Sequence, residues 1–514
     1  MTFARLILAA SINEPISRPS DWHLPPRAAA MALVQCYIDG VYSLYPAFPE
    51  TSLFNALDAV YQTDGRAVAD FEYWLLYMAL SIGAMSQSRS SLDGYYNDGV
   101  TWVAYALQYA DKVLVPGYVM QMQALILLVQ YSMLDPAHFD SWQLIGFACR
   151  ALVDLGFHQD PPRVRQSDKS TLDLRRRMFY CLYSLDRSIS MVHARPFSFT
   201  DDTTSVAFPT LPPAIAPITQ ASSLPGPQSL HSAVLLFQLR GIQSSWYQEL
   251  FQSSRDPFQQ SSTYIWRMCH EMRSWFETLP KTLPSTVKDM FELELLYSYT
   301  YCLAPSCRVP AVSELGKTLI FEYSMSYAEK IHSICKEPVN TAFYTYHDAL
   351  RVYFIGSQFM AVLQDNIDQL LNARVPYIPA VAGGPPLPDI PNLGRSDNIN
   401  RSIKCINQIV DTLKTYGERW CDSQALKTNF EAQVGPLLVN LHQREHQQST
   451  ALAGSHDLNI TPGLMTSGQL EGRISDNWAG MVNNFPDRPA NLGGHPAEQQ
   501  GYPQPGTSYH RYPQ

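Results

Sequence analysis

The sequence has few charged residues and no excess of basic ones, which argues against a chain that binds nucleic acid over most of its surface. Charged residues make up 16% of the 514 residues, and the formal net charge is -9 at pH 7. A domain that binds duplex DNA or RNA directly usually carries a basic stripe that displaces counterions. We therefore expect most of this chain to make no contact with nucleic acid.

Long apolar runs and closely spaced cysteines are also missing from the sequence. The apolar run LILLVQYSML is interrupted by Gln130 and Ser132, so it falls short of the roughly 18 apolar residues of a membrane span. The nine cysteines are scattered, mostly within apolar stretches, in a chain too long to depend on disulfides. The sequence thus predicts no membrane partner and a reducing compartment.

Apolar residues recur at helical spacing along most of the chain, and they predict an all-α fold. Hydrophobic residues make up 46% of the sequence and aromatic residues 12%, a composition typical of heavily buried helices. One predicted helix places Leu144, Ala148 and Leu152 on a single face and ends at Gly156, where a left-handed cap is expected. We find no strand-like alternation between these helices.

Proline-rich and polar stretches divide the chain into a predicted two-lobed array of packed helices with a disordered C-terminal tail. The tail is expected to be disordered because its composition is too polar to repay the entropy of ordering. The predicted boundaries are an N-terminal extension at 1–29, a first helical lobe at 30–209, a proline-rich linker at 210–230, a second lobe at 231–445 with a Pro/Gly-rich insertion at 375–397, and the tail at 446–514.

Several motifs occur in an order that resembles the fungal-specific transcription factor family. The segments are FPETSLFNAL, LSIGAMSQS, SWQLIGFACRALVDLGFHQDP, DLRRRMFYCLYSLDRSISMVHARP and LELLYSYTYCLAPSCRVP. They resemble the middle homology domain, a regulatory domain that usually follows a binuclear zinc-cluster DNA-binding domain. Ala194 and Tyr180 depart from the glycine and tryptophan usual in the family, and we interpret both as tolerable packing changes.

The resemblance implies a nuclear transcription regulator that controls a metabolic or secondary-metabolite gene set, and not an enzyme. The expected partners are a coactivator or corepressor, a second copy or a related chain in a dimer, and a small-molecule effector. One alternative is a partner or corepressor that does not bind DNA and acts through dimerisation or competition for coactivators. A more remote alternative is a helical small-molecule binder or enzyme.

A zinc cluster is the family feature that this sequence does not contain. Six thiolates holding two zinc ions require the pattern C-x2-C-x6-C twice, whereas Cys36 is the only cysteine before Cys149. We therefore expect no cofactor in this chain, and zinc only if a cluster exists upstream. DNA contact is expected only through a missing domain or a partner.

Charged residues at the start and centre of one predicted helix are the first candidates for a structural or regulatory role. Arg175 and Arg176 are predicted to pair with carboxylates such as Asp173 or Asp154; a phosphate-binding or nuclear-localisation role for this arginine run is the alternative. Asp186 and Arg187 are likewise predicted to be structural pairing partners.

Two further candidates are His158 and Arg195. His158 follows the helix end at Gly156 and is predicted to bond the last free carbonyls of that helix, a position that also suits a cation. Arg195 belongs to the Arg-Pro element that the resemblance covers. Aromatic residues of YTYCLAPSCRVP and FYTYHDALRVYF are predicted to be core, with an effector pocket as the alternative.

The segment HQREH, from His442 to His446, matches the inverted zincin pattern H-x-x-E-H, in which two histidines bind zinc and the glutamate serves as base. A third ligand would have to come from Glu471 or Glu498 in the tail. We interpret the match as a chance occurrence at a helix end rich in Gln and His.

In the tail, Trp478, Met481 and Phe485 stand between acidic residues in SDNWAGMVNNFPD. Such a pattern is typical of disordered segments that fold onto a coactivator groove. These three residues are the candidates for an activation segment, and an inert tail is the alternative.

Overall fold

The computed structural model describes residues 2–16, 23–62, 67–162, 168–210, 228–337, 344–377, 395 and 397–454. Within these residues the chain is helical, and β pairing is limited to two isolated bridges, Ile12 with Phe139 and Gln159 with Ser205. The predicted all-α fold is confirmed. None of the described helices combines the length and the apolarity needed to cross a lipid bilayer.

The first nine helices precede the proline-rich stretch. They are α1 Phe3–Ser11, α2 Arg27–Tyr37, α3 Glu50–Tyr61, α4 Asp70–Gln87, α5 Gly94–Ala106, α6 Ala110–Val113, α7 Val119–Leu134, α8 Ser141–Asp154 and α9 Lys169–Val192. The helices after that stretch are α10 Gln228–Tyr247, α11 Ser261–Glu277, α12 Ser285–Leu303, α13 Glu314–Lys336, α14 Tyr346–Asp365, α15 Ile367–Leu371, α16 Asn398–Arg419 and α17 Cys421–Gly454.

Helices α4 and α7 lie at the centre of the first group of helices. Helix α4 is buried along its length from Trp74 to Met85 and packs against α2, α3, α5 and α7. Helix α7 is buried without a break from Gln121 to Leu134. Both helices are buried on every face, as expected of helices at the centre of a bundle.

The packing continues through α8, α9 and α10 into the later helices. Helix α9 packs against α8, α10 and α14, and α12 packs against α11 and α13. One hydrophobic core contains residues from Ala4 to Phe291. The division into lobes at residues 210–230 stays a prediction.

The final helix is longer than the sequence suggested. Helix α17 continues to Gly454, a little more than two helical turns beyond the predicted start of the tail at residue 446. The i to i+4 hydrogen bonds of Ser449 and Thr450 to backbone carbonyls of Glu445 and His446 accompany this extension. Residues 455–514, 211–227 and 378–394 lie outside the described residues.

Helices α8 and α9 end in the same type of cap. Gly156 has a φ of 69°, and the amide of Phe157 donates to the carbonyl of Leu152 at 3.0 Å. Gly156 is therefore confirmed as a left-handed cap. Ala194 has a φ of 51°, and the amide of Arg195 donates to the carbonyl of Ser190 at 2.9 Å. Ala194 thus affects the backbone and is not only a packing change, because left-handed geometry disfavours a residue with a Cβ atom.

Candidate regulatory site

An ion pair that is fully buried lies in the middle of α9. Arg187 Nη1 donates to Asp186 Oδ2 at 2.8 Å, and neither side chain is exposed. Arg187 Nη2 donates to Asp201 Oδ1 and to the carbonyl of Phe199, each at 2.9 Å. One guanidinium group therefore joins α9 to the segment that follows it.

Aromatic rings enclose the same guanidinium group. Its central carbon lies 4.0 Å from the ring centre of Tyr183, 4.5 Å from that of Phe197 and 4.6 Å from that of Phe199. These distances are within the range of cation–π attraction. Arg187 Nε also donates to Ser244 Oγ in α10 at 3.3 Å, so the group contacts a third element.

Asp186 binds the segment after α9 through Ser198. Ser198 Oγ donates to Asp186 Oδ1 at 2.6 Å, and the Ser198 amide donates to the same oxygen at 3.2 Å. Burial raises the pKa of Asp186, while Arg187 and Ser198 act in the opposite direction and limit the rise. The carboxylate is thus paired and hydrogen-bonded, as a buried charge requires.

A second buried charged network consists of Arg240, Glu294, Asp348 and Arg351. Arg240 donates to both carboxylate oxygens of Glu294, at 2.7 and 2.8 Å. Arg351 Nη1 lies 2.9 Å from Glu294 Oε1 and 3.1 Å from Asp348 Oδ1. Burial alone would raise the pKa of Glu294, but Arg240 and Arg351 outweigh it and hold that pKa at about 2.

The second network connects four helices around a small cavity. Arg351 Nη2 in α14 donates to Ser188 Oγ in α9 at 2.9 Å, and Gln243 Nε2 in α10 donates to Ser298 Oγ in α12 at 2.7 Å. The cavity measures about 30 Å³, which is the space of about one water molecule. It is too small for an organic ligand, so we interpret the network as structural.

A larger groove lies on the surface between α8 and residues 196–198. It measures about 580 Å³, and Trp142, Phe147 and Phe197 supply its aromatic lining. The guanidinium carbon of Arg195 lies 4.9 Å from the ring centre of Trp142. This volume is in the range of sites that bind small molecules.

The structure gives Arg175 and Arg176 partners other than those predicted. Arg176 Nη2 donates to Asp160 Oδ2 at 2.6 Å, and Arg175 Nη2 donates to the carbonyls of Gly156 and Gln159. Arg176 thus pairs with a nearby carboxylate, as predicted, but that carboxylate is Asp160 and not Asp173 or Asp154. Arg175 donates to backbone carbonyls instead of pairing with a carboxylate.

Helix geometry explains this difference. Arg177 pairs with Asp173 at 3.1 Å because the two are four residues apart on one helix face. Arg176 points about 100° away from Arg177 and meets the turn after α8, where Asp160 lies.

The predicted role of His158 was also wrong. The amides of Gly156 and Phe157 donate to the carbonyls of Val153 and Leu152 at the end of α8. The side chain of Arg175 donates a hydrogen bond to the carbonyl of Gly156. His158 Nδ1 is instead buried and has no hydrogen-bond partner among the described residues.

The HQREH motif lies at the surface, whereas the aromatic residues of YTYCLAPSCRVP lie in the core. His442 Nδ1 lies 3.2 Å from Glu445 Oε2 on an exposed part of α17. Among the described residues we find no group of three or more His, Cys, Asp or Glu side chains able to hold a metal ion. The tyrosines of YTYCLAPSCRVP are buried core residues.

Sequence reasoning missed all four members of the second network. Each stands in a stretch rich in apolar residues, within LLFQLRGIQ, FELELLYSY or HDALRVYF. A charged residue surrounded by apolar residues on all helix faces must be buried and therefore paired. That pattern would have indicated buried charges, but it would not have indicated which residues pair.

The fold and the site define an all-helical domain whose buried charges join helices and whose surface carries a groove of ligand size. Residues 34–283 match the family described as the fungal specific transcription factor domain. The matched region runs from within α2 to just beyond the end of α11.

Curated relatives match about half of the chain. Pyrimidine pathway regulatory protein 1 of Saccharomyces cerevisiae is 25% identical over 283 residues, which cover 51% of this chain and 30% of that protein. The positive regulator of purine utilization of Emericella nidulans is 23% identical over 279 residues, with 43% and 26% covered. Activator of stress genes 1 of Saccharomyces cerevisiae is 25% identical over 289 residues, with 53% and 29% covered. The matched region thus spans less than a third of each relative, and this chain is similar to transcription regulators.

Proposed function

We propose that this chain is the regulatory part of a fungal transcription regulator of the zinc-cluster type, that it acts in the nucleus and that it catalyses no reaction. The observation that carries the proposal is the family match over residues 34–283, which includes both α8 and α9. In this proposal, contact with DNA comes from a domain outside this sequence or from a dimer partner. The formal net charge of -9 supports an indirect role at the promoter.

We further propose that the regulated genes are metabolic. The names of two relatives refer to a pyrimidine pathway and to purine utilization. An acidic, mostly buried helical body suits the task of sensing a small effector or a partner protein and passing that state to a coactivator or corepressor.

The proposed route of this signal starts at α8 and passes through α9 to α10. Phe197 and Ser198 lie in the groove and also contact Arg187 and Asp186. Arg187 in turn contacts Ser244 in α10. A ligand or partner that moves residues 196–198 would therefore change contacts that tie two helices together.

Fusion of the 514-residue chain to an unrelated DNA-binding domain tests the proposal. We expect the fusion to change transcription of a reporter carrying the matching DNA site, relative to the DNA-binding domain alone. A stable, nuclear fusion that leaves the reporter unchanged would argue against a direct regulatory function.

The same assay tests the activation segment. Replacement of Trp478, Met481 and Phe485 by alanine is expected to lower reporter output if the tail recruits a coactivator, because the apolar side chains would supply the contact. A matched variant replaces Asn483, Asn484 and Gln499 by alanine and is expected to retain output. Equal output from both variants would mean that the tail is inert.

A further inference from the structure

The groove beside α8 is half open to solvent and has a partly aromatic lining. Residues 142, 146, 150 and 153–154 follow one face of α8 and form its wall, and Phe197 stands opposite. Phe147 is partly exposed, and Val153 is exposed. A volume of about 580 Å³ accommodates a drug-sized molecule between the aromatic side chains.

Two opposite charges at the edge of the groove have no partner. Arg150 and Asp154 both line the groove and are exposed. They are one helical turn apart, yet among the described residues neither side chain takes part in an ion pair or a hydrogen bond. A partly buried pair at this spacing does close, as Lys427 and Glu431 do at 2.7 Å. Both groups are thus available to a ligand.

The chemistry of these groups limits what the groove can bind. Aromatic rings favour a flat π system, and a guanidinium group favours a carboxylate or another anionic oxygen. The Asp154 carboxylate accepts a hydrogen bond and therefore favours an N–H group. A molecule that meets all three demands is a flat heteroaromatic acid with a ring N–H.

The floor of the groove connects to the buried ion pair. Cys149 is buried in the floor, and Ser198, which also lines the groove, donates to Asp186. Phe197 forms one wall of the groove and also stacks on the guanidinium group of Arg187. A ligand in the groove would therefore contact the segment that Asp186 and Arg187 hold in place.

We propose that this groove binds a flat heteroaromatic carboxylic acid, with the acid group at Arg150, a ring N–H at Asp154 and the ring beside Trp142 and Phe147. The assignment rests on the proposed function in so far as the ligand is its effector. Binding itself does not depend on a promoter, so it is measured on the isolated chain.

Gly146 offers a way to fill the groove without disturbing the core. It lies in α8 and lines the groove, and a Cβ atom at this position would meet nothing within 4 Å. Gly146→Leu therefore places a side chain into open space. Gly94→Leu is the matched control, because a Cβ atom at this helical glycine also meets nothing within 4 Å and Gly94 is not among the groove residues.

The experiment is calorimetric titration of the full chain with indole-3-carboxylate, which combines an acid group, a flat ring system and a ring N–H. We expect saturable binding with one site per chain, weakened at least tenfold by Gly146→Leu and about tenfold by Arg150→Gln, and unchanged by Gly94→Leu. Cyclohexanecarboxylate, an acid without a flat ring, is expected to bind at least tenfold more weakly. Thermal unfolding of each variant verifies that it is folded.

Two results would overturn the assignment. One is the absence of saturable binding at millimolar indole-3-carboxylate, and the other is equal binding by Gly146→Leu and the unmodified chain. Failure here leaves a positive reporter result intact, and a silent reporter leaves a positive titration intact, so the two proposals fail separately.

Discussion

Ser188 Oγ in α9 accepts a hydrogen bond at 2.9 Å from Arg351 Nη2 in α14, although the two residues are 163 positions apart. Ser188 lies within the region that matches the family, whereas Arg351 lies beyond it. Arg351 also contacts Glu294 in α12 and Asp348 in α14. The family region is thus held by a buried charge that the later helices supply.

Glu294→Gln is expected to destabilise the fold strongly. The substitution removes the carboxylate that pairs with Arg240 and Arg351 and leaves two buried cations with less compensation. Removal of one partner from a buried pair costs about 3–5 kcal/mol, measured as the shift in urea unfolding. The control Glu329→Gln breaks the exposed pair with Lys404 and should cost less than about 1 kcal/mol. Similar losses for both variants would contradict a structural role for the network.

Arg187→Met is expected to loosen the segment after α9. The change leaves Asp186 buried without its cation and removes the bonds to Asp201 and to the carbonyl of Phe199. We expect a loss of about 3 kcal/mol or more and faster cleavage by protease near residues 196–201. Arg27→Met, which breaks an exposed pair with Asp58, is the matched control and should change stability by less than about 1 kcal/mol. Unchanged proteolysis in Arg187→Met would show that the segment does not depend on the guanidinium group.

Ala194→Gly is expected to stabilise the protein. Ala194 has a φ of 51° at the end of α9, where a Cβ atom costs about 1–2 kcal/mol and glycine adds some entropy to the unfolded chain. We expect a net gain on the order of 1 kcal/mol, seen as a higher melting temperature. Gly156→Ala at the equivalent cap of α8, where φ is 69°, should lower the melting temperature. A lower melting temperature for Ala194→Gly would contradict this account.

The pair His193 and His347 is expected to make the fold sensitive to acid. Their ring centres are 5.3 Å apart. Burial lowers the pKa of His193 to about 4 and the pKa of His347 well below its ordinary value. The unfolded chain therefore takes up protons first, so stability is full above about pH 6.5 and falls as the pH drops from there towards 4.

A variant with His193→Gln and His347→Gln tests this pH dependence. Between pH 6.5 and 4.5 its free energy of unfolding should change less than that of the unmodified chain, by on the order of 4 kcal/mol, with about 2 kcal/mol from each histidine. His138→Gln is the control of opposite sign: burial lowers the pKa of His138, but the Asp135 carboxylate outweighs burial and raises it. That contribution is present below about pH 6.5 and is lost at higher pH. Identical pH profiles for the double variant and the unmodified chain would remove the histidine pair from the account.

Local features of α8 and α9 could be predicted from the sequence. The spacing of apolar residues along each helix can be read from that helix alone, and Gly156 indicates in the sequence where α8 ends. The partners of Arg175 and Arg176 could not be predicted in the same way. They depend on where the turn after α8 folds back, and that position is set by packing.

The second network was even less accessible to sequence reasoning. Arg240 and Glu294 are 54 positions apart, and their pairing depends on how α10 and α12 are aligned. The groove was missed for a related reason. Its two walls, α8 and residues 196–198, are each ordinary in sequence, and only the fold brings them together.

Chromatin immunoprecipitation of the tagged chain from its native cells, combined with RNA sequencing after its depletion, tests the central claim most directly. The account predicts that the chain is enriched at promoters of genes whose transcripts change on depletion, many of them metabolic. A chain that is absent from chromatin and whose depletion leaves transcription unchanged would contradict the account.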